Sequence, residues 1–130
     1  MSKKCISNIK GPKPIGPYSP AVHAGEFLYV SGQGSIDPVS GKLLPGDIDK
    51  ETDRTLQNLG LVLQDSGSSL EEVVSVTVFL RDMSKFGAMN EIYRRYFPTN
   101  PPARTCIGVS DLPGGLQVEV NAIAYRPASK

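Results

Sequence analysis

Metal-binding and disulfide chemistry have little to draw on in this chain, whose 130 residues include one histidine and two cysteines. His23, Cys5 and Cys106 do not fall at a zinc-ligand spacing, so no metal site is expected. Two cysteines are also too few for the disulfide framework of a small secreted scaffold, and free thiols in a reducing compartment are expected. Excess charge of one sign is missing too: 14 Lys and Arg stand against 13 Asp and Glu, a net charge of +1. That balance offers nucleic acid no electrostatic footprint. No apolar run approaches the roughly 18 residues of a membrane span. Residues 1–10 lack the apolar stretch of a signal peptide, and the first arginine is Arg54, which argues against an arginine-rich transit sequence. The expected compartment is the cytoplasm. Neither a P-loop nor a nucleophile elbow occurs. Gly32-Gln33-Gly34 begins like a dinucleotide loop, but Asp37 occupies the third glycine position and Asp37-Pro38 opens a turn where a helix should start. Glycines there suit close backbone approach to a neighbour or a ligand.

What is present is ordinary in amount, with 39% hydrophobic and 21% charged residues, and informative in pattern. The length predicts a single domain over residues 1–130 with a real core. A short strand is expected at residues 5–9, then a loop over 11–20 with four prolines that carries Tyr18 and Ser19. Held between Gly16-Pro17 and Pro20, Tyr18 suits a binding contact and equally a packed loop. A hairpin turning near 24–26 leads to a strand over 27–33 that includes Ser31 and Gly32. A helix is predicted over 47–67, with Asp47 or Asp49 near its cap, Gly67 at its end and a stripe of Thr52, Leu56, Leu59 and Leu63. The β-branched run at 73–81 reads as a central strand. Asp82 and Ser84 supply cap chemistry for a second helix over 85–97, whose stripe is Phe86, Met89, Ile92, Tyr93 and Tyr96. Phe86 and Asn90 lie one turn apart and are placed at the edge of a site near the helix start, although surface polarity explains Asn90 equally. The tail, residues 127–130, is expected to be loose. This order gives an α+β layer with both helices on one face of a single sheet.

Residues 101–119 are the most informative stretch. Pro98, Pro101 and Pro102 block a helix, so the chain is expected to reach Arg104 extended. Strand alternation then groups Arg104, Cys106 and Gly108 on one face, with Thr105, Ile107 and Val109 on the other, read as the apolar core face. After the Leu112-Pro113-Gly114-Gly115 turn, Val118, Val120, Ala122 and Ala124 alternate with Gln117, Glu119 and Asn121. The expectation is that Arg104 and Glu119 both lie on the sheet face away from the helices. Ile123 and Tyr125 make that open face partly apolar, which suits coverage by another subunit. Two readings stand: a solvated ion pair worth about 0 to 1 kcal/mol, or two charged members of a site. A guanidinium binds a carboxylate through two parallel hydrogen bonds, and a carboxylate can orient or deprotonate water. That equipment suits hydrolysis of an already activated electrophile such as an imine. A Cys106–His23 nucleophilic pair has no local signature here, and a buried free cysteine is the commoner case.

Gly16-Pro17-Tyr18-Ser19-Pro20-Ala21, Val30-Ser31-Gly32-Gln33, and Pro102-Ala103-Arg104-Thr105-Cys106 through Val118-Glu119-Val120 resemble the Rid/YjgF family of reactive intermediate deaminases. The similarity spans nearly the whole chain, and the Pro-Ala-Arg to Val-Glu spacing is its specific part. It departs from the family pattern at Val120, where isoleucine is usual, and at Asn121, which replaces a frequent acidic residue. The resemblance implies a chorismate-mutase-like fold and a homotrimer with sites at the inter-subunit clefts. It also implies cofactor-independent hydrolysis of 2-imino acids to 2-keto acids and ammonia. In this reading Arg104 holds the substrate carboxylate and Glu119 handles the attacking water. Tyr18, Ser31, Gly32 and the backbone at Cys106 shape the pocket, with Phe86 and Asn90 near the cleft. The alternatives are a non-catalytic ligand-binding or holdase-like trimer, and a ribonuclease or translation inhibitor acting on RNA. Neutral net charge counts against nucleic acid.

Overall fold

The computed structural model describes residues 2–7 and 9–126. Its strands are β1 (Lys4–Cys5), β2 (Ala21–Ala24), β3 (Phe27–Gln33), β4 (Val73–Leu80), β5 (Ala103–Gly108) and β6 (Val118–Tyr125). Two helices, α1 (Ile48–Asp65) and α2 (Phe86–Tyr96), complete the order. The strands form one sheet in the order β1-β2-β3-β6-β4-β5. All pairings are antiparallel except β4 with β5. The first strand is shorter and earlier than the 5–9 expected, and Asn8 lies outside the described residues, as does the 127–130 tail.

Helix α1 starts where the Asp47 carboxylate accepts the Lys50 N–H at 2.9 Å. Asp49 and Glu51 in its first turn complement the helix dipole. It stops before Gly67, whose φ of +80° suits a residue without Cβ. Thr52, Leu56, Leu59 and Leu63 are buried, as the helical spacing requires. The second helix is preceded by a turn of 3-10 helix, Met83–Lys85, where the Asp82 carboxylate accepts the Ser84 N–H at 2.9 Å. Met89, Ile92 and Tyr93 are buried, but Phe86 at the first turn is 37% exposed and leaves the expected stripe. The helices are tied together where the Tyr96 hydroxyl donates to the Asp53 carboxylate. Both pack over the same sheet face, sharing one core with Val76, Val78, Leu80, Val118, Val120 and Ala122.

The register corrects one expectation. Strand β4 sets Val76 opposite Arg104 and Val78 opposite Cys106, while across β6 the same residues face Ala122 and Val120. Arg104 and Cys106 therefore lie on the helix-covered face, and Phe79, Ile123, Ile107 and Glu119 on the open one. Arg104 and Glu119 are on opposite faces of the sheet. The alternation holds over residues 104–108, but the core face is the reverse of the one expected. β5 is an edge strand, where α2 shelters an arginine by its aromatic rings and leaves Ile107 42% exposed on the uncovered side.

Candidate active site

The sequence-predicted site residues fall into two groups. The first surrounds a cleft of 480 Å³ lined by Tyr18, Ser31, Gly32 and Glu119 among others. Its geometry starts from an irregularity: β3 and β6 lose register between Val30 and Gln33, so Ser31 and Gly32 stand outside the regular ladder. The Ser31 hydroxyl donates to the Ser19 carbonyl at 2.6 Å and the Ser31 N–H to the Pro20 carbonyl at 3.0 Å, which anchors the proline-rich loop to the sheet. That loop is closed by the Tyr18 N–H on the Gly16 carbonyl at 2.9 Å and by the Ile15 N–H on the Tyr18 hydroxyl at 3.2 Å. Tyr18 is thus an ordered cleft wall, 46% exposed.

Glu119 lies against Gly32. A Cβ at position 32 would stand 2.8 Å from the Glu119 carboxyl carbon and overlap Oε2, so only glycine lets the carboxylate lie on this strand. Burial raises the Glu119 carboxyl above its usual value of 4.5. A carboxylate moved in this direction is a better proton acceptor than an exposed one.

The second group lies around Arg104. Its guanidinium carbon sits 4.6 Å from the Tyr93 ring centroid and 5.6 Å from that of Phe86, both on α2. Asn90, Tyr93, Pro102 and Arg104 line a hollow of 300 Å³ at the edge of the sheet. With the sheet between them, Arg104 and Glu119 make no salt bridge with each other. The cation is held by ring faces, and its planar fork of donors suits an anion entering the hollow. Cys106, two residues along the same face, is partly buried; burial pushes its thiol pKa up while the Arg104 charge opposes this. A protonated thiol is a poor nucleophile, and His23 is buried in the core region near Arg126 rather than beside it.

Two contributions to the site go beyond the sequence expectations. Tyr93 belongs to the core stripe by type, yet Phe86, Asn90 and Tyr93 recur at helical spacing, which is the available signal that they share a face. The apolar walls of the first cleft, Ile36, Leu43, Leu112 and Leu116, come from turns whose packing has no local periodic signature. Among the described residues no group of three His, Cys, Asp or Glu side chains could hold a metal ion. None of the described helices is long and apolar enough to cross a membrane.

A mixed sheet with two helices on one face, a glycine-backed, partly buried carboxylate on the open face and an edge arginine under two rings on the other define a small α+β protein. Comparison with known proteins gives that class a family. Residues 8–126 match the family described as Endoribonuclease L-PSP. The 2-iminobutanoate/2-iminopropanoate deaminase of Mus musculus is 47% identical over 95% of this chain and 92% of that protein. A putative endoribonuclease of Thermotoga maritima superposes with a TM-score of 0.91 at 44% identity, covering 96% of this chain and 98% of that one. Escherichia coli TdcF, solved with bound serine, gives 0.89 at 31% identity over 95% of this chain and 99% of that one. The chain belongs to the Rid/YjgF family, to which the L-PSP description is attached.

Proposed function

We propose that the protein is a cytoplasmic, cofactor-independent deaminase that hydrolyses 2-imino acids to 2-keto acids and ammonia at clefts shared between the subunits of a homotrimer. The observation that carries this reading is the division of charge, with Arg104 on one sheet face and Glu119 on the other. One protomer holds two half-sites, and joining the Arg104 half of one copy to the Glu119 half of the next makes a whole one. The open face supports association, since Phe27, Tyr29 and Tyr125 are 44%, 48% and 38% exposed there, and Ile107 is exposed on the same face at the β5 edge. The relatives named as imino acid deaminases support the substrate class.

In this mechanism Arg104, with the backbone at Cys106, receives the substrate carboxylate through paired charge-assisted hydrogen bonds. Phe86 and Asn90 border that end. The imine carbon then faces Glu119, Tyr18 and the Ser31-Gly32 segment of the neighbouring copy. Glu119 accepts a proton from water as the water oxygen adds to C2 and the C2–N π pair moves to nitrogen, which takes that proton back from Glu119. Glu119 then carries the proton of the new C2 hydroxyl to the amine, and ammonia leaves with the C2–N bonding pair as the C2 carbonyl forms. The electrophile is already activated, so no metal step is required of these residues. A net charge of +1 gives the endoribonuclease description less support in this chain.

The function is tested by generating 2-iminobutanoate in place with an amino acid oxidase and following its decay; acceleration over buffer is expected, and its absence would contradict the reading. The assembly is tested by light scattering, where a particle of three chains is expected. A particle of one chain would remove the shared cleft.

A further inference from the structure

The Glu119 cleft extends beyond the groups that the hydrolysis uses. From the structure we infer that its far end is a side-chain subsite selecting 2-imino acids with larger uncharged aliphatic side chains over alanine-sized or charged ones, with Leu43 as the specificity-determining residue. The inference rests on the deaminase reading and adds to it the side chain that the substrate carries.

The far end is built by two turns. Residues 35–44 form a small hairpin in which the Leu44 N–H donates to the Ser35 carbonyl at 2.8 Å and the Ser35 hydroxyl to the Leu44 carbonyl at 2.7 Å. Ile36 and Leu43 face each other across it. The second turn, Pro113–Gly115, is fixed by the Arg81 guanidinium on the Gly115 carbonyl. The turns meet where Leu43 lies against Gly114: a Cβ there would stand 3.1 Å from Leu43 Cδ2 and overlap Cδ1, and a φ of +70° also favours glycine. Ile15, Ile36, Leu112 and Leu116 complete the apolar wall, and Glu119 is the only charged residue that lines the cleft among those described.

This wall is held in place by buried polar groups of α1. The Asn58 side-chain amide donates to the Gly34 and Ile36 carbonyls at 2.9 and 2.8 Å. The Glu51 carboxylate, 1% exposed, accepts the Gly46 N–H at 3.3 Å and the Gln117 N–H at 2.8 Å. Both ends of the 35–44 hairpin, and the segment leading to Glu119, are thereby fixed to one helix. A loop tied at both ends to buried side chains of one helix suits a wall of fixed shape better than an adaptable surface. A substrate side chain entering it loses water and meets mainly the aliphatic side chains of Ile36, Leu43, Leu112 and Leu116. A carboxylate there would also lose water against aliphatic walls and share the cleft with the Glu119 carboxylate.

Discrimination in apolar pockets runs at about tenfold or more per methylene. Imino acids generated from leucine, alanine and glutamate with suitable oxidases are the probes, with kcat/KM as the readout. The leucine-derived substrate is expected to exceed the alanine-derived one by roughly tenfold or more and the glutamate-derived one by more still. Leu43→Asp, and Leu43→Asn as a milder second variant, should lower the leucine-to-alanine ratio about tenfold. Leu43 is 41% exposed, so folding is expected to survive, as circular dichroism would verify. Val39→Asp on the same hairpin, at a residue 94% exposed and outside the cleft, should leave the ratio unchanged. A wild-type enzyme acting equally on all three, or a ratio unmoved by both Leu43 variants, would overturn the subsite while leaving the deaminase reading intact. Failure to accelerate any of the three would overturn the deaminase reading itself, and the subsite with it.

Discussion

Arg104→Ala is expected to lower kcat/KM for 2-iminobutanoate by roughly a hundredfold or more, with the protein still folded. The size follows from the hydrogen bonds that the substrate carboxylate would no longer make. Two hydrogen bonds to a charged carboxylate contribute about 1.5 to 3 kcal/mol each, and each 1.36 kcal/mol is about a factor of ten in rate. The fold should tolerate the change, because what Arg104 gives its own protomer is a position over the Tyr93 and Phe86 rings. Such cation–ring pairs are worth about 0.5 to 1 kcal/mol at exposed sites. Arg104→Lys should recover only part of the activity, since an ammonium cannot present two parallel donors. Steady-state kinetics beside thermal denaturation separates the two effects: activity lost with Tm nearly unchanged is the expected result. Wild-type activity in the alanine variant would remove Arg104 from the site.

Glu119→Gln is the second large effect, a loss of roughly a hundredfold or more, the usual scale for removing a general base. The wild-type pH profile supplies the signature. Burial raises the Glu119 carboxyl above 4.5, so kcat/KM should fall as pH drops through a value above that, as the base becomes protonated. The glutamine variant should lack this acid limb. Stability moves the opposite way. A carboxyl whose folded pKa is raised binds its proton more tightly folded than unfolded, so its contribution to stability declines as pH rises above about 4.5 through the folded pKa. Glu119→Gln should therefore be no less stable than wild type at neutral pH while far less active. A variant that kept the acid limb would assign the proton transfer to another group.

The sequence is most legible where periodicity and caps agree. The Asp47 cap and the Thr52-Leu56-Leu59-Leu63 stripe locate α1, and the β-branched run locates β4 between β6 and β5. Glu119 shares the face of Ile123 and Tyr125 as its alternation predicts, because β6 is buried on one side and its pattern is clean. Arg104 lies on the face opposite to the expected one because β5 is an edge strand. There Thr105 and Ile107 look like core residues by type, yet the helices shelter the other side. Alternation says which residues share a face, but only pairing with β4 says which face it is. The Leu43 wall is not legible at all, since it depends on a turn-to-turn contact with Gly114 and on α1 side chains that anchor residues 34–46.

The central claim is that each active site takes Arg104 from one protomer and Glu119 from another, and subunit mixing tests it most directly. The Arg104→Ala and Glu119→Gln proteins, each inactive alone, would be unfolded together in equal amounts, refolded and assayed for 2-iminobutanoate hydrolysis. Random assembly of a shared site restores both groups to one cleft in four, so recovery to about a quarter of wild-type activity is predicted. Recovery no greater than the sum of the two separate variants would contradict a site shared between subunits.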